Sequence, residues 1–188
     1  MAIHVQAPRG YSVDLLSKVV RMFLVAVAAS FVLISASAQD SKGKMSDGIG
    51  LVANGKAEIK DIGLAAYPGA HPYKDKDDDS SAATLGLWGP SSGFHLSVMK
   101  FETGDSAEKI TSFYRKELAR YGKVLDCSDP NAPREKKGNE LTCDDEKPDK
   151  GEVALKSGTK ANQHLVSVER KDGMTRFQLV HLETKGTD

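Results

Sequence analysis

One stretch of helical period stands among segments of strand period, and that contrast limits the folds open to this chain. From Asp105 to Gly122 the apolar residues Ile110, Phe113, Tyr114, Leu118 and Tyr121 recur on one helical face, while Lys109, Ser112, Arg115, Lys116 and Arg120 fall mostly elsewhere. Asp105 is placed to cap this helix, with Glu108 three residues later completing a capping-box pattern, and Gly122 ends it. Lys116, Arg120 and Lys123 sit near the negative end of the helix dipole, where cations are favoured. The strand-helix alternation of a parallel sheet is missing. The expected class is therefore α+β: one domain over residues 57–186, with an antiparallel sheet of about five to seven strands packed on one main amphipathic helix, residues 106–121.

The strands are read from alternation and turns. Phe94, Leu96 and Val98 alternate against His95 and Ser97, and the alternation slips at Met99-Lys100-Phe101, which predicts a bulge or a strand end there. Thr84–Trp88, Lys123–Cys127, Glu140–Cys143 and Glu152–Lys156 read as further strands, and Ile59 with Ile62 as a short one near the start of the domain. Gln163–Arg170 and Thr175–Thr184, joined by Lys171-Asp172-Gly173, have the pattern of a hairpin. Pro68-Gly69 is a type II turn signal.

The start of the chain bears on compartment. Lys18 and Arg21 precede thirteen uncharged, mostly apolar residues, Met22 to Ile34, followed by Ser35-Ala36-Ser37-Ala38-Gln39. A positive segment, a short apolar run and an A-x-A site make a cleavable secretory signal over residues 1–38. Two other readings are an uncleaved anchor, although the run is shorter than the ~20 residues that span a bilayer, and a buried core helix. Residues 39–56, rich in Gly, Ser and charge, read as a flexible leader. The product is expected in the periplasm or outside the cell, with no stable membrane span after cleavage.

That compartment changes how Cys127 and Cys143 are read. In an oxidising setting an even pair, sixteen residues apart, is expected to form one disulfide. Two free thiols are the alternative, and a redox or metal pair lacks both C-x-x-C spacing and a nearby histidine. The chain carries 26 basic and 26 acidic residues, and loss of residues 1–38 leaves a net charge of −2. Near neutrality supplies no electrostatic reason to expect nucleic acid as a partner.

Several segments bear on chemistry. Gly89-Pro90-Ser91-Ser92-Gly93 matches the G-x-S-x-G pattern of hydrolases, but it lies between two strand patterns and contains proline, so it reads as a hairpin turn. Asp75, Asp77 and Asp79 occupy alternate positions, as in a calcium loop, but Ser80 and Gly86 stand where that pattern needs Gly and Glu. A solvated acidic loop is the plainer reading. His95, His164 and His181 each fall in a strand pattern and are the raw material for a site assembled across a sheet. Trp88, Tyr67 and Tyr73 lie outside the helix, where aromatic faces stack on a ligand or pack a partner.

Three motifs, Tyr67-Pro68-Gly69-Ala70, Phe101-Glu102-Thr103-x-Asp105-Ser106 and Phe113-Tyr114-Arg115-x-Glu117-Leu118, follow one another over about residues 60–125. In this succession the chain resembles uncharacterised bacterial exported proteins with a YPGA turn and an FYRxxL helix. The resemblance implies an envelope compartment and a small folded domain. It carries no catalytic residue.

Three functions stay open at this point. The first is an exported, non-enzymatic module that binds a ligand or an envelope protein and needs no cofactor. The second is a small hydrolase-type enzyme built on the strand histidines. The third is a calcium-stabilised structural domain.

Overall fold

The computed structural model describes residues 50–186 apart from Asp77, Lys136, Lys137, Asn139, Asp145 and Lys147. The signal reading of residues 1–38 and most of the leader reading lie outside the described residues. The elements run β1 (Gly50–Asn54), α1 (Ile59–Ile62), β2 (His71–Pro72), β3 (Ala82–Trp88), β4 (Gly93–Thr103), α2 (Ala107–Leu118), β5 (Leu125–Asp126), β6 (Val153–Thr159), β7 (Asn162–Lys171) and β8 (Met174–Lys185). Every pairing is antiparallel, in one eight-stranded sheet of order β1-β3-β4-β8-β7-β6-β5, with β2 also on β4.

The β7–β8 hairpin forms where the sequence placed it. Its turn residues Asp172 and Gly173 both have positive φ, 53° and 81°, the backbone whose twist matches that of paired strands. Two sequence expectations change nearby. Ile59 and Ile62 lie in a helical turn, because a spacing of three puts both on one helical face, and Glu58 N–H donates to Asp61 Oδ2 at 2.8 Å to cap it. Gly50–Asn54, within the segment read as a leader, pairs with β3 as an edge strand. A short, fully exposed strand has no buried face, so it leaves little periodic signal.

The helix α2 starts one residue later than expected. Ser106 is its N-cap and its side chain accepts from Lys109 N–H, while the Asp105 carboxylate serves Tyr67 and Lys109. Ile110, Tyr114 and Leu118 are fully buried against Phe101, Leu155, Val166, Val168, Phe177 and Leu179 of the sheet. Ile110 and Leu118 each contribute roughly 1.5–3 kcal/mol of apolar burial. A 3-10 turn, Ala119–Tyr121, closes the segment before Gly122.

No bulge interrupts β4, which pairs with β8 without a slip from Gly93↔Lys185 to Thr103↔Thr175. The alternation changes because the apolar face changes. Met99 and Phe101 point to the side covered by α2, and Phe94, Leu96 and Val98 point to the opposite side. One strand thus carries apolar residues on both faces at different heights.

Between β5 and β6 the chain forms a loop closed by the Cys127–Cys143 disulfide, and both cysteines are fully buried. The loop packs Leu125, Ala132, Leu141 and Ala154 around the cystine on the sheet side opposite α2. Glu140–Cys143, expected as a strand, does not join the sheet. Cys143 N–H donates to Pro133 O at 2.7 Å, and the Thr142 carbonyl accepts from Lys156 Nζ at 3.1 Å, so these backbone groups are satisfied inside the loop. Arg134 donates to the carbonyls of Cys127, Cys143 and Glu146, each at 2.9 Å. Lys156 and Glu146 form a buried ion pair at 2.7 Å.

The disulfide holds a segment that has little regular structure, so its loss is expected to show in stability. Cys127→Ser/Cys143→Ser should lose about 3 kcal/mol by the loop-entropy argument, seen as a fall in Tm of about 6–12 °C. Thermal unfolding followed by circular dichroism checks this, and an unchanged Tm would show that the buried ion pair and Arg134 hold the loop without the bond.

Candidate functional site

The histidines were one candidate site, and two of them do meet. His164 on β7 and His181 on β8 are register partners. Their rings stack at 4.3 Å with planes 4° apart, and Tyr121 stacks on the other face of His164 at 3.7 Å. His164 Nδ1 lies 3.0 Å from Ile62 O, and His181 Nδ1 lies 2.8 Å from Asp61 O. A ring nitrogen facing a carbonyl must carry the proton, so both histidines donate to the last carbonyls of α1. Tyr121 Oη donates to Gly63 O beside them. The three rings therefore fasten α1 to the sheet. His95 stands apart, against Trp88 at a ring separation of 6.3 Å. Among the described residues, no group of three or more His, Cys, Asp or Glu is placed to hold a metal ion.

The acidic loop folds onto a lysine. Lys100 Nζ donates to Asp75 Oδ2 at 2.9 Å and to Asp78 Oδ2 at 2.8 Å, and Tyr73 Oη donates to Asp75 Oδ1 at 2.6 Å. Burial raises the Asp75 carboxyl, but the hydrogen bonds from Lys100 and Tyr73 outweigh it and hold the group below its ordinary range. Burial, with the Asp75 bond, pushes the Tyr73 hydroxyl up to about 12. Asp79 is exposed, and Asp77 lies outside the described residues. The cation that gathers these carboxylates is the ammonium of Lys100.

The three aromatics proposed for binding are not one surface. Tyr73 lies beneath the Arg176 guanidinium at 4.3 Å. Trp88 is half exposed at the end of β3, its ring lying over Gly86 so closely that a Cβ there would come within 2.2 Å of it. Tyr67 makes a different arrangement. Its ring meets Phe113 edge-on at 5.1 Å and Phe177 at 6.3 Å, and its hydroxyl donates to Asp105 Oδ2 at 2.8 Å. The Pro68-Gly69 turn brings it there, closed by Ala70 N–H to Tyr67 O at 3.2 Å. Nearby, Ala65 N–H donates to Glu117 Oε2 at 3.2 Å. The turn at Tyr67, the Thr103–Ser106 segment and the Phe113–Leu118 stretch of the helix are thus one packing unit, a turn fastened to the start and the outer face of α2.

Between that turn and α2 lies an open cleft of about 450 Å³, lined by Tyr67, Glu108, Lys109, Ser112, Phe113 and Lys116. Tyr67 and Phe113 supply its apolar wall. Lys109 is held by Asp105 at 2.9 Å, and this bond raises the lysine and lowers the carboxylate. Lys116 has no partner among the described residues. Sequence reading singled out Tyr67 and placed Lys116 on the solvated side, where it is exposed. Phe113, read as part of the buried face, is only partly buried at the margin of the apolar stripe, where helical spacing does not distinguish core from cleft.

Among the described residues no helix is long and apolar enough to cross a membrane. Compared with models of known protein families, with curated proteins and with solved structures, the chain has no match.

The histidine stack has a measurable consequence. Burial, and then the neighbouring His181, lower His164 to about 4. Its folded-state value lies below the unfolded value of about 6.5, so the unfolded chain takes up the proton first. The stabilisation is complete above pH ~6.5 and is lost as pH falls towards ~4. Chemical denaturation between pH 7 and 4.5 should show falling stability for the native chain and a shallower fall for His164→Gln. Equal slopes would move the effect to other groups.

Proposed function

We propose that this chain is an exported, non-enzymatic α+β module that binds a partner at the Tyr67–Phe113 cleft. One observation carries this reading. Three separate sequence segments converge to hold an aromatic pair open to solvent beside an ammonium, Lys116, that has no partner among the described residues. Neither Tyr67 nor Phe113 is fully buried. The cleft is shallow and one-sided, so it suits a side chain presented on a partner's surface more than an enclosed small molecule. Its chemistry asks for an apolar or aromatic knob against Tyr67 and Phe113, with a carboxylate within reach of Lys116. The natural occupant is an extended segment of another protein that carries both.

The compartment is part of the proposal. The disulfide is buried and closes a loop with little other structure, which suits folding where thiols oxidise. The A-x-A pattern after Met22–Ile34 supports the same setting. The histidines, acting as fasteners of α1, give the enzyme reading no positive support.

Selection from a displayed peptide library tests the site. The native chain should enrich peptides that pair an aromatic or large apolar residue with an acidic one. Lys116→Glu should weaken a selected peptide at least about tenfold, the loss of one charge-assisted contact, and Tyr67→Ser should abolish binding. Lys116 is exposed, so its replacement should leave Tm unchanged. Peptides that bind both variants as tightly as the native chain would remove the cleft from consideration.

A further inference from the structure

The large apolar side chains exposed among the described residues are Leu51 (69 %), Val52 (48 %) and Trp88 (44 %), and all stand on β1 or its neighbour β3. They occupy both faces of this wing. Leu51 shares its face with Leu87 and Phe94, which are paired with it in register across β3 and β4. Val52 lies on the other face, opposite Gly86 and beside the Trp88 ring that covers that glycine. The Leu51 face is apolar throughout, with Ala53, Leu85, Leu87 and Phe94, whereas the Val52 face sets Val52 and Trp88 among Asn54, Thr84, His95 and Ser97.

Among the described residues the wing also ends on a bare edge: β1 gives one side to β3, and no described strand lies on its other side. Edge strands are usually protected by lysine, proline, a bulge or a covering loop. Gly-Leu-Val-Ala-Asn has no charge and no proline, and it pairs with β3 without a bulge. The far edge of the same sheet is protected in several ways. β5 is only two residues long, the cystine loop follows it directly, and Asp126 is held by Arg115.

We propose that β1 is a dimer interface, in which it pairs antiparallel with β1 of a second copy about a two-fold axis at Val52. Water can satisfy an exposed backbone edge, but another extended strand pairs with the whole row of N–H and C=O groups at once. This strand matches itself. Val52 faces its own counterpart, Leu51 faces Ala53, Gly50 faces Asn54, and no charge meets a like charge. The contact is isologous, and the protected β5 edge stops further addition, so assembly closes at two copies instead of growing into a filament. Five residues make an edge only about 17 Å long. The buried area is then below the ~1,200 Å² of stable complexes, which points to a reversible dimer of roughly micromolar affinity. None of the residues lining the Tyr67 cleft lies on β1 or β3, so the dimer stands independently of the binding proposal.

Sedimentation velocity on the protein as its own cell leaves it, from about 1 to 200 μM, tests the interface. The native chain should pass from monomer to dimer across that range. Val52→Lys and Val52→Glu each place like charges on the axis, and each should weaken association at least about tenfold. An equimolar mixture of the two variants should recover a dimer, which also shows that both are folded. A native chain that stays monomeric at the highest concentration overturns the proposal. So does a Val52→Lys variant that dimerises like the native chain, or a mixture that stays monomeric.

Discussion

Eleven residue pairs join β4 to β8 without interruption, and the other parts of the fold are fixed relative to that pairing. On one face it sets Phe101 beside Phe177 and Met99 beside Leu179, the floor on which α2 rests. Along the same face it places His181 where its ring can stack on His164 and reach Asp61 O. On the other face it aligns Leu96 with Leu182 and Val98 with Val180. A slip of one residue would exchange these faces and remove the support for α2 and α1 together. Thr175, at one end of the pairing, also donates to the Asp105 carbonyl, tying the start of α2 to the strand it packs against.

The parts legible in the sequence were those with a complete local signal. The β7–β8 hairpin has alternation on both strands and a turn that needs positive φ. α2 has a stripe, a cap and a stop. The cysteines could be paired because only two exist. The parts that were missed depend on distant partners. Asp105 and Ser106 are equally good caps by type, and the choice is made by Tyr67, 38 residues away, which takes the Asp105 carboxylate. Glu140–Cys143 has a strand-like composition, but Arg134, Lys156 and Pro133 provide for that loop's backbone in another way. The slip in β4 was visible but pointed to the wrong cause, because alternation alone does not say that the covering layer changes sides along one strand.

The candidate site was legible only in pieces. Tyr67, Asp105 and Phe113 lie in three separate stretches of sequence, and nothing local says that the three touch. The cleft forms because a turn must cross the outer face of α2 to reach β2, and Tyr67 is the residue that meets the helix on the way. The histidines had the opposite fate. Their strand positions correctly suggested proximity, and proximity served a structural purpose, because both Nδ1 atoms face carbonyls left over at the end of a four-residue helix.

The sheet is supported by different means on its two sides, which explains why its edges differ. The α2 side is a continuous apolar core that reaches from β6 to β4 and stops short of β1. The other side, at the β5–β6 end, is covered by a loop with few apolar residues, held by one cystine, one buried ion pair and one arginine on three carbonyls. A buried ion pair gives little net stability against an apolar alternative, but removing one partner is costly, so Lys156 and Glu146 fix where this loop lies more than how strongly the whole domain folds. Neither layer extends to β1 and β3. Among the described residues nothing covers the outer edge of β1, and the large exposed apolar side chains, Leu51, Val52 and Trp88, gather on this wing. In the proposed dimer, pairing with a like wing extends the sheet across this edge with no residue change elsewhere in the chain.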